Sequence, residues 1–423
     1  MTTGNFYYGY KLVAAAFLAQ FIAIGIYSYV LGPFMQPMID DLGWTRAEFT
    51  LTRSISQIVM AVTGVFVGVQ VDRFGGRPIM LIGATILTAV LIAHSQINSL
   101  FSWWLLNGVL LTVGTAMVGS LVVNVTLSKW FIVNRGKAIA YAAMGVSFGG
   151  IVLTPLATFL IDNIGWRTAW ICLGLFSAAI LYPVALMMRR APEDEGLNPD
   201  GFSKEQMKAH PQTANTNGGE FAFTRAEALR TLSFYALVIA FGFFTINIVV
   251  LLLLSVPFLT DSGFSRGDAA LAIFVASIPA MLSKPIWGYL IDRGRPKPLA
   301  AGSAMVTGLA LVLIIFSVDA GVFFWVSLAY VVLGFGWGGM IPLQEVIWAS
   351  YFGRRHIGAI RGAGMPFGLL LGAAAPWLVA LSADLTGSYS DALMVVALLN
   401  ILSGILIFLI PPPRARDQSS QRK

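Results

Sequence analysis

GWTRAEFTL occupies residues 43–51, and GFSRGDAAL stands at 263–271, 220 positions later. The same offset carries VDRFGGRP at 71–78 onto IDRGRPKP at 291–298 without a gap. Gly43 falls on Gly263, Gly68 on Gly288, Asp72 on Asp292, Arg73 on Arg293 and Pro78 on Pro298. Farther along, Ala138, Met144 and Pro155 match Ala359, Met365 and Pro376 at an offset of 221. A chain whose second half echoes its first folds as two similar units, and such chains commonly place a functional site on the pseudo-symmetry axis between them.

The units are membrane-embedded. Of 423 residues 57% are hydrophobic and only 11% charged, with a mean hydropathy of +0.78; a soluble domain carries roughly 25% charged residues. Apolar runs long enough to cross a bilayer recur near 12–35, 47–71, 78–96, 101–127, 136–160, 168–188, 232–258, 268–291, 298–318, 321–349, 358–383 and 390–410. A spanning segment must satisfy its own backbone, and these runs lack the alternation of barrel strands, so they read as helices. The expected fold is an all-α integral membrane protein of twelve transmembrane helices in two pseudo-symmetric six-helix bundles. The divisions are 1–188 for the N-terminal bundle, 189–231 for a cytoplasmic linker, 232–410 for the C-terminal bundle and 411–423 for a cytoplasmic tail. The linker composition predicts a solvated tether, flexible through 196–219 and helical near 224–231.

The net charge of +7 follows from topology. With twelve spans both termini share a side, and 22 of the 27 Lys and Arg residues fall there. The positive-inside bias therefore places both termini in the cytoplasm of a cell membrane, and no nucleic-acid partner is needed to explain the charge. Cys172 is the single cysteine and the three histidines are scattered, so neither an intramolecular disulfide nor a clustered metal site is expected. No P-loop, HExxH or CxxC pattern occurs, which argues against ATP-driven transport, a bound cofactor or an enzyme of the commoner types.

Six spans plus six, with GVQVDRFGGR at 68–77 and its degenerate partner GYLIDRGRPK at 288–297, resemble the major facilitator superfamily and its loop pattern GxxxDRxGxR. Residues 130–150, WFIVNRGKAIAYAAMGVSFGG, are similar to the helix 5 signature of the monocarboxylate-porter group, to which oxalate–formate antiporters are close. Phe131, Arg135, Ala138, Ala142, Gly145 and Gly149 agree, while Val133, Asn134, Lys137, Ala140 and Met144 depart. The resemblance implies that Asp72 and Arg73, with their second copies Asp292 and Arg293, gate the cytoplasmic side. Read from composition alone, the same loops are positively charged topology anchors with a capping Asp. Gly145 and Gly149 stand one turn apart, a spacing that lets helices approach closely in lipid.

Charges inside the hydrocarbon are costly, so each is a functional candidate. Lys284 lies in IPAMLSKPIWG, roughly 10 Å from the cytoplasmic end of its span at 1.5 Å per residue. The resemblance puts it where monocarboxylate porters carry the arginine that binds the substrate carboxylate. Those that couple to protons have an Asp one turn earlier, and this chain has Ala280. Arg53 reads either as an outer recruiter of anions or as a snorkelling side chain. Glu345 and Arg361 read as an inner-gate ion pair, with Glu345 as a proton carrier the alternative. Tyr27, Asn124, Tyr141 and Asn247 are candidate hydrogen-bond partners for a small polar substrate, against a purely interhelical role.

These readings converge on secondary active transport of a small organic anion, a monocarboxylate, by alternating access in a bacterial inner membrane, through proton symport or anion exchange. A proton-driven exporter of an amphipathic metabolite stays open, as does a nontransporting membrane sensor on the same fold.

Overall fold

The computed structural model describes residues 7–209 and 222–413. Twelve long helices follow in order: α1 Tyr8–Leu42, α2 Arg46–Phe74, α3 Gly76–His94, α4 Leu100–Trp130, α5 135–164, α6 166–187, α7 Leu232–Asp261, α8 Arg266–Arg293, α9 Pro296–Asp319, α10 Phe323–Phe352, α11 Ile357–Thr386 and α12 Ser390–Leu409. Helices α5 and α6 run on through a single non-helical residue, Gly165, at φ 76°. All the helices but α3 and α12 outlast their apolar runs, because the run marks only the hydrocarbon while the backbone continues helical until a cap stops it.

The duplicated stretch turns out to be a reversal signal. Gly43, at φ 67°, ends α1 in the left-handed conformation that glycine adopts without penalty, and its N–H donates back to the Ile39 carbonyl. Two residues on, the Thr45 hydroxyl accepts from the Glu48 N–H and Glu48 returns the bond to the Thr45 N–H, a capping box that starts α2. Gly263 at φ 93° and Ser265, capping Asp268, repeat the device between α7 and α8. The stretch is preserved because it stops one helix and starts the next within three residues.

Two irregular turns mark the N-terminal bundle. Helix α1 widens to a π turn over Ile26–Val30, and α4 over Trp104–Leu111 before Gly119 breaks it with extended φ and ψ. Within this bundle α1 lies against α5 at backbone distance: a Cβ on Gly149 would sit 2.6 Å from the Gly25 Cα, and one on Gly145 would strike the Phe17 carbonyl.

The bundles meet chiefly on the side that carries the linker. There α2 crosses α11 at Gly64 and Gly68 against Gly358, Gly362 and Met365, and α8 crosses α5 at Gly288 against Gly136 and Ala140. Apolar packing follows the same division. One core runs the whole length of the N-terminal bundle, from Leu12 and Val71 to Met38 and Trp103, and continues into the linker-facing half of the C-terminal bundle at Trp287, Met340 and Ile360. On the far side Ile246, Leu254, Ala272, Leu311, Tyr330 and Val379 belong to a separate cluster of the C-terminal bundle alone. The molecule is closed on its linker face.

The linker differs from the expected tether. Short 3-10 turns at Pro192–Glu195 and Pro199–Gly201, then a helix at Lys204–Ala209, order its first part, and Arg225–Ala228 forms one helical turn near its end. Residues 210–221, which include 210–219 of the stretch expected to be flexible, and 414–423 of the tail lie outside the described residues.

The α1–α5 approach leaves no room for a side chain. Gly149→Leu is expected to cost at least about 1–3 kcal/mol by overpacking, seen as a lower apparent melting temperature of the purified protein. Melting unchanged from wild type would show that the two helices do not depend on that contact.

Candidate functional site

The linker face is held by two carboxylates that each complete a helix of the other bundle. Asp72, at the end of α2, accepts from the Ala359 N–H in the first turn of α11 at 2.8 Å and pairs with Lys129 of α4 at 2.8 Å. Both side chains of that pair are only 8% exposed. Asp292, at the end of α8, accepts from the Gly136 and Lys137 N–H groups in the first turn of α5, at 2.7 and 3.0 Å. The cap positions themselves, His356 and Asn134, give no side-chain bond to their helices. The opposite bundle supplies the capping oxygen and the negative charge that the helix N-terminus favours.

The two arginines of these loops are placed differently. Arg73 and Arg293 are exposed and stack on Phe74 and Tyr289 of their own helices, with guanidinium-to-ring distances of 5.0 and 4.4 Å. They flank the closure without crossing it. Glu345 and Arg361 form a bidentate pair at 2.7 and 3.1 Å, and Arg361 also lies over the Trp348 ring. The expected ion pair is present, and since both residues belong to the C-terminal bundle it fastens α10 to α11.

Lys284 sits at the α8–α5 crossing, only 5% exposed. Its ammonium donates to the Ser147 hydroxyl of α5 at 2.8 Å and to the Ala280 carbonyl at 2.9 Å. The flanking residues clamp α8 to α10: Ser283 and Trp287 both donate to the Phe335 carbonyl, at 3.3 and 2.8 Å. Lys129 and Arg361 each face a carboxylate. Lys284 faces a hydroxyl and a carbonyl, and among the described residues no carboxylate lies within ion-pair distance of it. An ammonium has three donors, and this one holds two neutral acceptors in a place where an uncompensated charge is expensive.

Arg53 of α2 stacks on Tyr27 at 4.7 Å and donates to the Ser28 carbonyl at 3.2 Å, so it grips the π turn of α1. Asn247 of α7 accepts from the Trp337 indole at 2.9 Å, while its amide nitrogen has no partner among the described residues. Asn124 is 1% exposed and neither of its amide atoms is bonded. Gln20 of α1 accepts from Ser120, one turn before Asn124. Tyr141 was expected among the candidate substrate contacts. It is 49% exposed and lies about a third of a turn around α5 from Ser147, on the face that carries Lys137 and Phe148.

Sequence reasoning missed Lys129, Ser147, Asp200 and Arg354. Asp200 of the linker accepts from the Ile132, Val133 and Asn134 N–H groups at 2.8 to 2.9 Å, directly before α5. The Asn198–Pro199–Asp200–Gly201 run was its signal, since it spells a turn. Burial and the nearby Asp200 charge push the Tyr7 phenol up, keeping it the donor to the Trp130 carbonyl at 2.9 Å. The hydrogen bond from Arg190 holds the Asp194 carboxyl below its ordinary value.

Two pseudo-symmetric six-helix bundles of membrane-spanning length, joined on one face, are the architecture of a membrane transport protein. The chain belongs to the Major Facilitator Superfamily, which matches it over residues 16–376 and 256–423. It is 27% identical to the oxalate:formate antiporter of Oxalobacter formigenes over 380 residues, 86% of this chain and 84% of that one. It is 26% identical to human monocarboxylate transporter 11 over 431 residues, covering 96% and 83%. The fold matches the proton:xylose symporter XylE with a TM-score of 0.74 at 12% identity, covering 96% of each chain. It also matches the human organic anion transporter MFSD10 with a TM-score of 0.73 at 15% identity, covering 94% and 99%.

Asp72→Asn leaves Lys129 buried without its counter-charge, a loss of roughly 3–5 kcal/mol for pairs of this kind. The variant should melt below wild type, and Asp72→Asn/Lys129→Met should recover part of the difference; a double variant no better than the single one would refute the pairing. For Asp194, a depressed folded-state pKa means its contribution is present above the ordinary carboxylate pKa of roughly 4 and lost as pH falls through the lower folded value. Protection of the 190–194 segment in hydrogen exchange, read by mass spectrometry and corrected for intrinsic rates, should therefore hold from neutral pH to about 4 and weaken below.

Proposed function

We propose that the chain is a secondary transporter of a small organic anion, a monocarboxylate, working by alternating access. The observation that carries this reading is Lys284: a buried ammonium at the seam between the bundles, with neutral acceptors and no acid. A carboxylate arriving there neutralises the charge and takes up the ammonium's remaining donor capacity. Relatives named as an oxalate:formate antiporter and as monocarboxylate transporters support the substrate class. The basic bias toward the linker face supports a cytoplasmic linker and termini in a bacterial inner membrane, in which case the structure is the outward-facing state.

The same charge favours exchange over proton symport. An empty carrier must carry Lys284 through the occluded state without a counter-ion, at a desolvation cost of several kcal/mol, whereas a loaded one does not. Glu345, the one acid well inside a span, is already engaged by Arg361. Tyr27 and Arg53 on one side, with Asn124 and Asn247 toward the middle, supply the polar contacts along the path.

Reconstituted protein preloaded with a carboxylate should take up labelled carboxylate at least tenfold faster than empty vesicles do, and Lys284→Met should abolish both rates. Saturable carboxylate uptake that persists unchanged in Lys284→Met would sink the assignment. Uptake driven equally well into empty vesicles by an inward proton gradient would sink the exchange reading alone.

A further inference from the structure

Residues 192–202 lie across the linker face as a strap, fixed first to the N-terminal bundle. Asp200 is 7% exposed and both its oxygens are engaged by the 132–134 turn, with the Asn134 amide adding a fourth bond at 3.2 Å. Its φ of 58° makes it the one non-glycine residue with positive φ among the described residues, a conformation that persists where surrounding bonds determine it. Tyr7 reaches the strap at the Asn198 carbonyl, 3.3 Å away. Arg189–Glu195 and Arg190–Asp194, at 2.9 and 2.8 Å, brace it from its own root at the end of α6.

From this anchored segment Glu193 crosses to the C-terminal bundle. It pairs at 2.5 Å with Arg354, in the loop between α10 and α11. Arg354 also donates at 2.7 Å to the carbonyl of Lys129, the residue whose ammonium holds Asp72. Arg354 is 12% exposed and Glu193 48%, so one partner is screened by protein while the other faces solvent.

We propose that the strap is a conformational latch: Asp200 anchors it to the N-terminal bundle, and Glu193 clasps Arg354 to bias the linker face toward its closed state. The clasp is separate from the two helix-capping aspartates. It needs a carboxylate at position 193 held in place from position 200, and it breaks whenever the C-terminal bundle swings away. The inference rests on the linker face opening during the cycle. An ion pair with one solvated partner is worth an increase in open population of about two- to fivefold when removed.

The test is the distance between spin labels on Arg77→Cys and Arg295→Cys, both exposed positions, in full-length Cys172→Ser protein in lipid nanodiscs. Electron–electron dipolar spectroscopy should resolve a closed population and a longer-distance open one. Glu193→Gln should raise the open fraction about two- to fivefold, while Glu195→Gln, whose partner lies on the same bundle, leaves it at the wild-type value. Asp200→Asn should also raise it, and Glu193→Gln added to Asp200→Asn should do nothing further. An open fraction indifferent to Glu193→Gln, equally raised by Glu195→Gln, or raised by Glu193→Gln to the same extent in the Asp200→Asn background overturns the latch and leaves the transport reading standing. A single distance in every variant, with and without carboxylate, overturns both.

Discussion

An α-helix begins with N–H groups that nothing inside the helix can satisfy, and this molecule settles that debt across its own midline. Helices α5 and α11 start without capping side chains of their own, and Asp292 and Asp72 arrive from the other bundle to accept their bonds. Closure of the linker face and completion of two helices are therefore the same event. That coupling explains why α2 and α8 end where they do. Each must deliver a carboxylate to a helix start one bundle away, so the register of the glycine crossings above it, Gly68 on Gly358 and Gly288 on Gly136, is fixed as well.

Against this symmetric frame the differences between the halves carry the chemistry. Overlaying the copies puts Lys284 on Gly64. At the α2–α11 crossing the room above Gly64 is filled by Met365, whereas at the α8–α5 crossing the corresponding place holds an ammonium that reaches Ser147. One seam is apolar and the other is charged at the same level. Under the proposed function, an anion at the charged seam would touch both bundles, because Lys284 rides on one and the Ser147 hydroxyl on the other. The symmetric parts give the two bundles a common way to move, and in the proposed function the asymmetric lysine is what would make that movement depend on what is bound.

How far residues spoke for themselves varied with the range of the interaction. Helix identity was legible because burial in hydrocarbon leaves a local record, although the record understates length: α1 reads as 12–35 and runs Tyr8–Leu42. Asp72 and Lys284 stood out because a charge beside or within an apolar run has few innocent explanations. Their partners did not, since Lys129, Ala359 and Ser147 are distant in sequence and unremarkable where they stand. The exposure of Tyr141 was not legible, because span depth says nothing about which face of a helix a side chain takes. The strap was mistaken for tether because polar composition is shared by solvated chain and by chain bonded to a protein surface. The Arg361–Glu345 pair was legible as a pair, but its work inside one bundle depended on how α10 and α11 pack.

The apolar seam also has a thermodynamic consequence. Opening the linker face exposes Met365, Ala140, the glycine crossings and the adjoining stretch of continuous core to water, while the capping carboxylates and N–H groups exchange one hydrogen-bond partner for another. Hydrating apolar surface raises the heat capacity, whereas the polar exchange contributes far less. The balance between closed and open forms is therefore curved in temperature, and the apolar contribution to closure weakens on cooling. A protein of this design carries its own thermal response in the seam between its halves, independent of what it transports.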